Sequence, residues 1–335
     1  MSRSSHPSNR DPSKVAVGIA LVLFSAIGLA TQNIVSRVFF VAGPLFSQVE
    51  LGGWIAPQLN NIVMLLAIRM TTMAVLLAAV SPLLYARTFS AIQQLSQNLK
   101  LSGAVIGSGL CLFVGLTSLY FSLSQISAGV AIATFFIYPA ITVLLAWRFL
   151  SQRPHSYQLM LMLVIFSGVA LTTLSSGSDL ALNPGTSPTP GILCALLAGL
   201  SFGLYGIFSE IALQSQAPLH PVPFSLLTFM IVSLASSLSL TVMPSINVDP
   251  ASWQPIWVTT LLSALVTVVA YVLNNFGVRY IGASLTALIS GSTPALTALL
   301  AWIALQESLQ PQQMVGVGIV TVGVAALSLK AKQNQ

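Results

Sequence analysis

The chain has 335 residues, of which 55% are hydrophobic and only 5% are charged, and its formal net charge is +6. Soluble proteins carry about a quarter of their residues as charged side chains, so this composition excludes an ordinary soluble fold. The apolar residues form runs of roughly 17 to 25 residues, long enough to cross a hydrocarbon core as helices and without the alternation of barrel strands. The sequence predicts an all-α polytopic membrane protein.

A polar segment at residues 1–14 precedes the first apolar run, and we expect it to be a cytoplasmic tail. The run Val15 to Ser36 is longer than a signal-peptide core, has no convincing cleavage site and carries Gln32 and Asn33. We therefore interpret it as an uncleaved first span.

Ten spans are predicted, five on each side of a Gly-, Ser- and Pro-rich linker at residues 175–190. The first five spans are Val15 to Ser36, Ile62 to Ala86, Leu101 to Leu123, Ala128 to Leu150 and Gln158 to Leu174. The second five are Gly191 to Leu213, Phe224 to Met243, Trp257 to Phe276, Ile281 to Ala304 and Gln313 to Leu329. The predicted domains are a five-helix repeat at 15–174, an outer linker at 175–190, a second repeat at 191–329 and a tail at 330–335.

Loop charge indicates the orientation. With the amino terminus in the cytoplasm, the outer loops contain no Lys or Arg, as the positive-inside rule requires. The inner segments then hold Arg3, Arg10, Lys14, Arg87, Lys100, Arg148, Arg153, Arg279, Lys330 and Lys332. The outer loops hold Glu50, Asp179, Asp249 and Glu307. We expect a multi-pass protein of the cell (inner) membrane with both termini cytoplasmic, and the basic charge needs no nucleic-acid partner.

The sequence of one predicted helix occurs twice in the chain. Pro139 to Trp147 reads PAITVLLAW and Pro294 to Trp302 reads PALTALLAW, 155 residues later. At that spacing Ile126 to Leu174 aligns without a gap with Ile281 to Leu329, with fifteen of forty-nine positions identical. Because five spans separate the copies, the second enters the membrane from the opposite face. The sequence predicts two inverted five-helix repeats, an arrangement typical of secondary transporters that bind their solute at the midplane.

These repeated helices resemble the EamA-type permeases of the drug/metabolite transporter (DMT) superfamily. The match lies in Pro294, Glu307, Gln313 and the run from Gly323 to Ala325, and in the first copy, where Gln152 replaces the turn Glu. The Arg that commonly opens the family's second helix corresponds to Arg69. The resemblance implies export or exchange of a small metabolite, amino acid-like or related, without naming the solute.

Two charged residues are candidates for function. Arg69 lies about seven residues, roughly 10 Å, inside its predicted span, where a buried guanidinium is costly unless it faces a cavity or a partner. We expect it to face the cavity and attract an anionic solute; the alternative is an Arg that snorkels to the surface. Glu210 is a candidate for proton coupling, although its position favours a solvated carboxylate near the cytoplasmic surface.

Polar groups and prolines inside apolar helices are the remaining candidates. An intramembrane Pro frees a carbonyl and can aim polar groups at a cavity, although a simple packing kink is the alternative. Adjacent amides either line the cavity or bond across helices. The candidates for solute binding are Asn33, Arg69, Tyr138, Pro139, Tyr205, Tyr271, Asn274, Asn275, Thr293 and Pro294.

A secondary transporter working by alternating access is the favoured function. A passive channel is an alternative but would be expected to show a charged ring or a carbonyl filter, and an intramembrane enzyme would need a His–carboxylate pair or metal ligands within the spans. The sequence shows neither, and we expect no enzyme activity, cofactor or metal. It leaves open the solute, the direction, protons as coupling ion, a homodimer and the role of the long outer connection at 41–61.

Overall fold

The computed structural model describes residues 12–45, 49–95, 97–126, 128–152, 154–174, 187–215, 217–243 and 246–306, together with 311–312, 314–316, 318–319, 321–323 and 326. Residues 1–11 of the predicted amino-terminal tail, the carboxy-terminal tail, most of the predicted linker, Glu307 and about half of the predicted tenth span lie outside these ranges.

Helices make up nearly all of the described chain. Before the linker they are α1 Pro12–Phe40, α2 Leu59–Leu84, α3 Thr88–Leu95, α4 Leu99–Gln125, α5 Ala128–Phe135, α6 Tyr138–Leu150 and α7 Ser156–Leu174, with strands β1 Gly43–Leu45 and β2 Val49–Leu51 after α1. After the linker they are α8 Thr189–Gln214, α9 Pro221–Leu240, α10 Trp253–Ile281, α11 Ala283–Ile289 and α12 Thr293–Leu305, with short 3₁₀ helices at Pro250–Ser252 and Ser290–Ser292.

Local chemistry explains several helix starts. The Asn98 side chain accepts a hydrogen bond from the Leu101 N–H, an N-cap that satisfies an orphan donor of α4. The His220 ring nitrogen does the same for the Val222 N–H at the start of α9, where Pro221 occupies the first turn and needs no hydrogen-bond partner.

Seven helical segments of the described residues are long and apolar enough to cross a membrane. They are Ser13–Phe40, Leu59–Leu84, Leu99–Gln125, Thr189–Gln214, Pro221–Leu240, Pro250–Ile281 and Ala283–Leu305. They correspond to the predicted first, second, third, sixth, seventh, eighth and ninth spans. The protein is therefore an all-α polytopic membrane protein, while the total of ten helices stays a prediction.

The long connection after α1 contains a small β-hairpin that the sequence did not predict. β1 pairs antiparallel with β2 through Pro44 and Glu50, and Trp54 then packs edge-on against Phe39, with ring centroids 5.9 Å apart. Gly52 has φ +105°, and a Cβ there would lie 2.3 Å from the Val38 carbonyl oxygen, so only glycine fits. The connection is thus folded back onto the end of α1.

The helices pack in pairs drawn from the two halves. α1 packs along α10, α4 along α8, and α2 along α9. The interrupted helices follow the same pattern, because α6 packs on α8 and α12 on α1, while α6 contacts α11 and α5 contacts α12. Most of the core therefore lies between the halves rather than within either one.

Candidate functional site

Both copies of the repeated helix are interrupted at equivalent positions. In the first copy α5 ends at Phe135 and α6 begins at Tyr138, whereas in the second the 3₁₀ turn Ser290–Ser292 separates α11 from α12. Pro139 and Pro294 lie in the first turn of α6 and α12. Proline is tolerated there because the N–H groups of the first turn have no partner within the helix, whereas inside a continuous helix proline would remove a hydrogen bond. Each repeated proline therefore marks a break.

A cavity lies between these two breaks. It has about 730 Å³ of space free of atoms, part of it open to solvent, and α1, α4, α8 and α10 complete its walls. None of the described residues that line it carries a charge. The polar lining residues are Gln32, Asn33, Tyr138, Thr142, Tyr205, Tyr271, Asn274, Thr286, Ser290 and Thr293.

Six of the predicted candidates line this cavity, namely Asn33, Tyr138, Tyr205, Tyr271, Asn274 and Thr293. Pro139, Pro294, Asn275 and Arg69 lie outside its lining. Each proline shapes the cavity by breaking its helix, because the residue directly before it, Tyr138 or Thr293, lines the cavity.

Aromatic rings form much of the apolar lining at the first break. Phe135 stacks on Tyr138 with ring centroids 5.0 Å apart and meets Phe202 of α8 edge-on at 4.9 Å. Phe136 meets Tyr138 at 5.1 Å. Sequence reasoning missed these three phenylalanines because an aromatic residue in an apolar span has no contrast with its neighbours. For Phe135 and Phe136, the position a few residues before the repeated Pro139 was the available signal.

Hydrogen bonds between helices brace the walls. Asn33 of α1 donates to the Thr297 hydroxyl of α12 over 3.2 Å, and Gln32 donates to the Tyr120 hydroxyl of α4 over 3.2 Å. The Gln32 Oε1 atom is buried and accepts no hydrogen bond from the described residues.

The adjacent amides of α10 have different surroundings. Asn274 lines the cavity, whereas Asn275 is fully buried behind it. The Asn275 Oδ1 accepts from the Tyr205 hydroxyl at 3.0 Å, and its Nδ2 donates to the Ser225 hydroxyl at 2.8 Å. Asn274 therefore lines the cavity and Asn275 forms hydrogen bonds across helices, so each of the two predicted alternatives applies to one residue of the pair.

Arg69 is fully buried near the middle of α2. The helix begins three residues earlier than predicted, which places Arg69 ten residues, roughly 15 Å, from Leu59. Its Nη1 donates to the Ser36 hydroxyl at 2.7 Å, and its guanidinium carbon lies 5.4 Å from the centre of the Tyr120 ring. The alternative of an Arg that snorkels to the surface is therefore wrong, but Arg69 is not among the residues that line the cavity.

Glu210 near the end of α8 is only 3% exposed, so the expectation of a solvated carboxylate is wrong. Its Oε1 accepts a hydrogen bond from the Gln152 side chain, and its Oε2 accepts one from the Ala283 backbone N–H at 2.7 Å. Buried carboxylates need such donors. Glu210 thereby joins α8 to the turn after α6 and to the start of α11.

Arg37, in the last turn of α1, is also buried. Its Nη1 donates to the Leu123 and Ile126 carbonyl oxygens, at 3.0 and 3.4 Å. Those carbonyls end α4 and would otherwise lack partners.

Metal ligation has no support in the described part of the chain, where no group of three or more His, Cys, Asp or Glu residues could hold an ion.

Comparisons with known proteins identify the class. The model of the EamA-like transporter family matches residues 16–174 and again residues 189–329. The uncharacterized transporter sll1319 of Synechocystis sp. is 34% identical over 316 residues, which cover 93% of each chain. The uncharacterized transporter YwfM of Bacillus subtilis is 24% identical over 207 residues, which cover 59% of this chain and 63% of that protein.

The fold also has a counterpart among solved structures. A structure described only as "Crystal structure of protein" superposes with a TM-score of 0.61 over 95% of this chain and 99% of its own, at 16% identity, which supports the fold alone. Family match, relatives and membrane helices agree, and the chain belongs to the EamA-like transporter family of the DMT superfamily.

Proposed function

We propose that this transporter is a secondary carrier that exports or exchanges a small, amino acid-like metabolite across the cell (inner) membrane by alternating access. Ten transmembrane helices would form two inverted five-helix repeats, with the solute held in the cavity between them. The observation that carries this proposal is the cavity itself, which both halves line at equivalent helix breaks.

The backbone supports the repeat beyond the sequence match. Among the described residues other than glycine, Ser151 and Gln306 alone have positive φ, 56° and 54°, and they are 155 residues apart, just after α6 and α12. Left-handed backbone at a non-glycine position is uncommon, so a chance coincidence at the repeat spacing is a poor explanation.

Helix packing supports a two-fold relation between the halves. If the halves are exchanged, α1 becomes α8 and α4 becomes α10, so the α1–α10 contact becomes the α8–α4 contact. The same exchange turns α12 on α1 into α6 on α8, and leaves α2 on α9 unchanged. An odd number of spans per repeat would make this two-fold axis lie in the membrane plane, as in other inverted-repeat carriers.

The loop charges support cytoplasmic termini. With this orientation the hairpin and Asp249 face outwards, while Arg87, Lys100 and Arg148 face the cytoplasm. The α8 end that carries Glu210 would also face the cytoplasm.

Glu210 is the group that we propose for coupling to protons. Its carboxylate bonds to both halves at once, through Gln152 and the Ala283 N–H. Protonation would weaken the carboxylate as a hydrogen-bond acceptor and loosen the inner end of the bundle. Proton-driven transport would then lose its dependence on a pH gradient in Glu210→Gln, which keeps the shape of the side chain.

The direct experiment begins with metabolites in the medium of cells that express the protein, compared with cells carrying an empty vector. A compound enriched in the medium is then tested in proteoliposomes for counterflow. A carrier gives saturable uptake that internal solute accelerates. Flux that is linear in concentration and indifferent to internal solute would indicate a channel, and chemical conversion of the compound would indicate an enzyme.

A further inference from the structure

One edge of the Arg69 guanidinium has no hydrogen-bond partner in the described part of the chain. Nη1 donates to Ser36, but the buried Nε and Nη2 have no acceptor among the described residues. These two nitrogens share one edge of the planar group, and their N–H bonds point in parallel. That edge is the side of arginine that binds the two oxygens of a carboxylate at once.

The described part of the chain provides no carboxylate for this edge. Its acidic residues are Glu50, Glu210 and Asp249. Glu210 bonds to Gln152 and Ala283, Asp249 caps the 3₁₀ helix that starts at Pro250, and Glu50 is exposed in the hairpin. A buried positive charge without a counter-ion attracts an anion strongly, because the surroundings screen it weakly.

Gln32 separates Arg69 from the cavity. Its side chain lines the cavity and donates to the Tyr120 hydroxyl, and the Tyr120 ring lies against the guanidinium. Tyr271, which also lines the cavity, interacts electrostatically with both Tyr120 and Arg69. Movement of Gln32 away from both Tyr120 and Tyr271 would let a group from the cavity approach the open edge of Arg69.

We infer that Arg69 binds the carboxylate of an organic anion through Nε and Nη2, with Gln32 as the side chain that moves aside. The body of the anion lies in the cavity against the rings of Phe135, Tyr138 and Phe202. This inference rests on the proposed function, since it takes the cavity as the solute site, and it names small organic carboxylates with an apolar body as the solute class.

The test uses the full-length protein purified in detergent and a matched pair of probes. N-acetylphenylalanine carries a carboxylate, and N-acetylphenylalaninamide has the same shape without the charge. Thermal unfolding is followed against the concentration of each probe at constant ionic strength, because a ligand that binds the folded state raises its midpoint. The anion is expected to stabilise the wild type and the amide to do so much less.

Variants assign the effect to Arg69. Arg69→Gln removes the charge and is expected to weaken binding of the anion about ten-fold or more, leaving the response to the amide unchanged. Arg148→Gln, at an exposed arginine near the end of α6, is the control and should behave as the wild type. Gln32→Ala removes the separating side chain and should retain the preference for the anion.

Every result bears on the inference. The inference would be overturned if both probes stabilised the wild type equally, or if neither the wild type nor Gln32→Ala preferred the anion. A preference for the anion that survives in Arg69→Gln would also overturn it. Chloride that stabilises through Arg69 while N-acetylphenylalanine does not would indicate an inorganic-anion site and overturn it as well. If Arg69→Gln does not fold, the probe pair on the wild type and Gln32→Ala still decides. Equilibrium binding does not require transport. The counterflow experiment can therefore fail while the binding of the anion at Arg69 is confirmed, and counterflow can succeed while binding at Arg69 is disproved.

Discussion

At the scale of single residues, Asn274 and Asn275 are neighbours in sequence with different predicted roles. Replacing Asn275 with Ala would remove the acceptor of the buried Tyr205 hydroxyl and one of the two hydrogen bonds of Ser225, which also donates to the Pro221 carbonyl oxygen. We expect Asn275→Ala to lower the free energy of unfolding by about 1–3 kcal/mol. Asn274→Ala, in contrast, should change stability by less than about 0.5 kcal/mol and raise the KM for transport.

Detergent unfolding curves and counterflow rates on the two variants check this pair. A stable Asn275→Ala protein with impaired transport, together with a destabilised Asn274→Ala protein, would reverse the assignment of the two amides.

His220, before α9, provides a test by pH. Burial, and secondarily the charge of Arg279, lower the pKa of His220 from 6.5 to about 4. Its ring stacks on Tyr85, with ring centroids 4.0 Å apart, and its Nδ1 accepts a hydrogen bond from the Val222 N–H. Only the neutral ring has a nitrogen that can accept this bond. Above pH 6.5 the ring is neutral in both folded and unfolded protein, whereas between pH 6.5 and 4 the unfolded protein binds the proton more readily. Stability should therefore fall as pH drops through that window.

The measurement is the unfolding midpoint from pH 8 to pH 4.5. His220→Gln should reduce the loss at low pH, and His155→Gln, which changes an exposed histidine, should leave it as in the wild type. An identical pH profile in His220→Gln and the wild type would contradict the account.

Sequence reasoning located the polar part of the site better than the rest. Asn33, Tyr205 and Asn274 stood out because amides and hydroxyls are costly in lipid unless they find partners or a cavity. Phe135 and Phe202 could not stand out, since lipid-facing and cavity-facing aromatics look alike in an apolar run. The burial of Glu210 was missed because the donors that make it tolerable, Gln152 and the Ala283 N–H, are distant in sequence.

At the scale of elements, the helix break between α5 and α6 depends on a glycine in α8. A Cβ at Gly199 would lie 2.7 Å from the Ile137 side chain and 2.8 Å from the Phe135 carbonyl oxygen. A backbone oxygen cannot move aside as a side chain does, so the break and α8 would separate. We expect Gly199→Ala to destabilise the protein by about 1–3 kcal/mol, more than the roughly 1 kcal/mol that alanine gains in a helix.

Gly103 of α4 is the matched control. A Cβ there would lie more than 4 Å from every described neighbour that could obstruct it. Gly103→Ala should therefore be neutral or slightly stabilising, and the two variants should differ in the sign of the change in unfolding midpoint. Equal midpoints would show that the close approach at Gly199 does not matter.

Element boundaries were predictable where composition changes abruptly, and less so elsewhere. The predicted ends of the spans that correspond to α1, α4 and α8 lie within a few residues of the observed helix ends, because these apolar runs end at polar loops. The hairpin β1–β2 was not, since two three-residue strands carry too few residues for an alternating pattern. The fourth and ninth spans were predicted as single spans that Pro139 and Pro294 can kink, and the structure interrupts the helix next to each of these prolines.

At the scale of the whole molecule, the account depends on two similar halves of opposite orientation. Such halves can exchange conformations, so that an outward-open state becomes an inward-open one when each half adopts the shape of the other. The cavity between the breaks, the exchange of helix contacts and the repeated positive φ after α6 and α12 are what this proposed relation would produce.

The most direct measurement labels single cysteines at equivalent positions of the two halves. Ser151→Cys and Gln306→Cys place exposed thiols 155 residues apart, in a chain whose Cys111 and Cys194 have been changed to Ala. A membrane-impermeant thiol reagent added to whole cells should label Gln306→Cys and spare Ser151→Cys until the membrane is permeabilised. Labelling of both positions from the same side would contradict the inverted repeat.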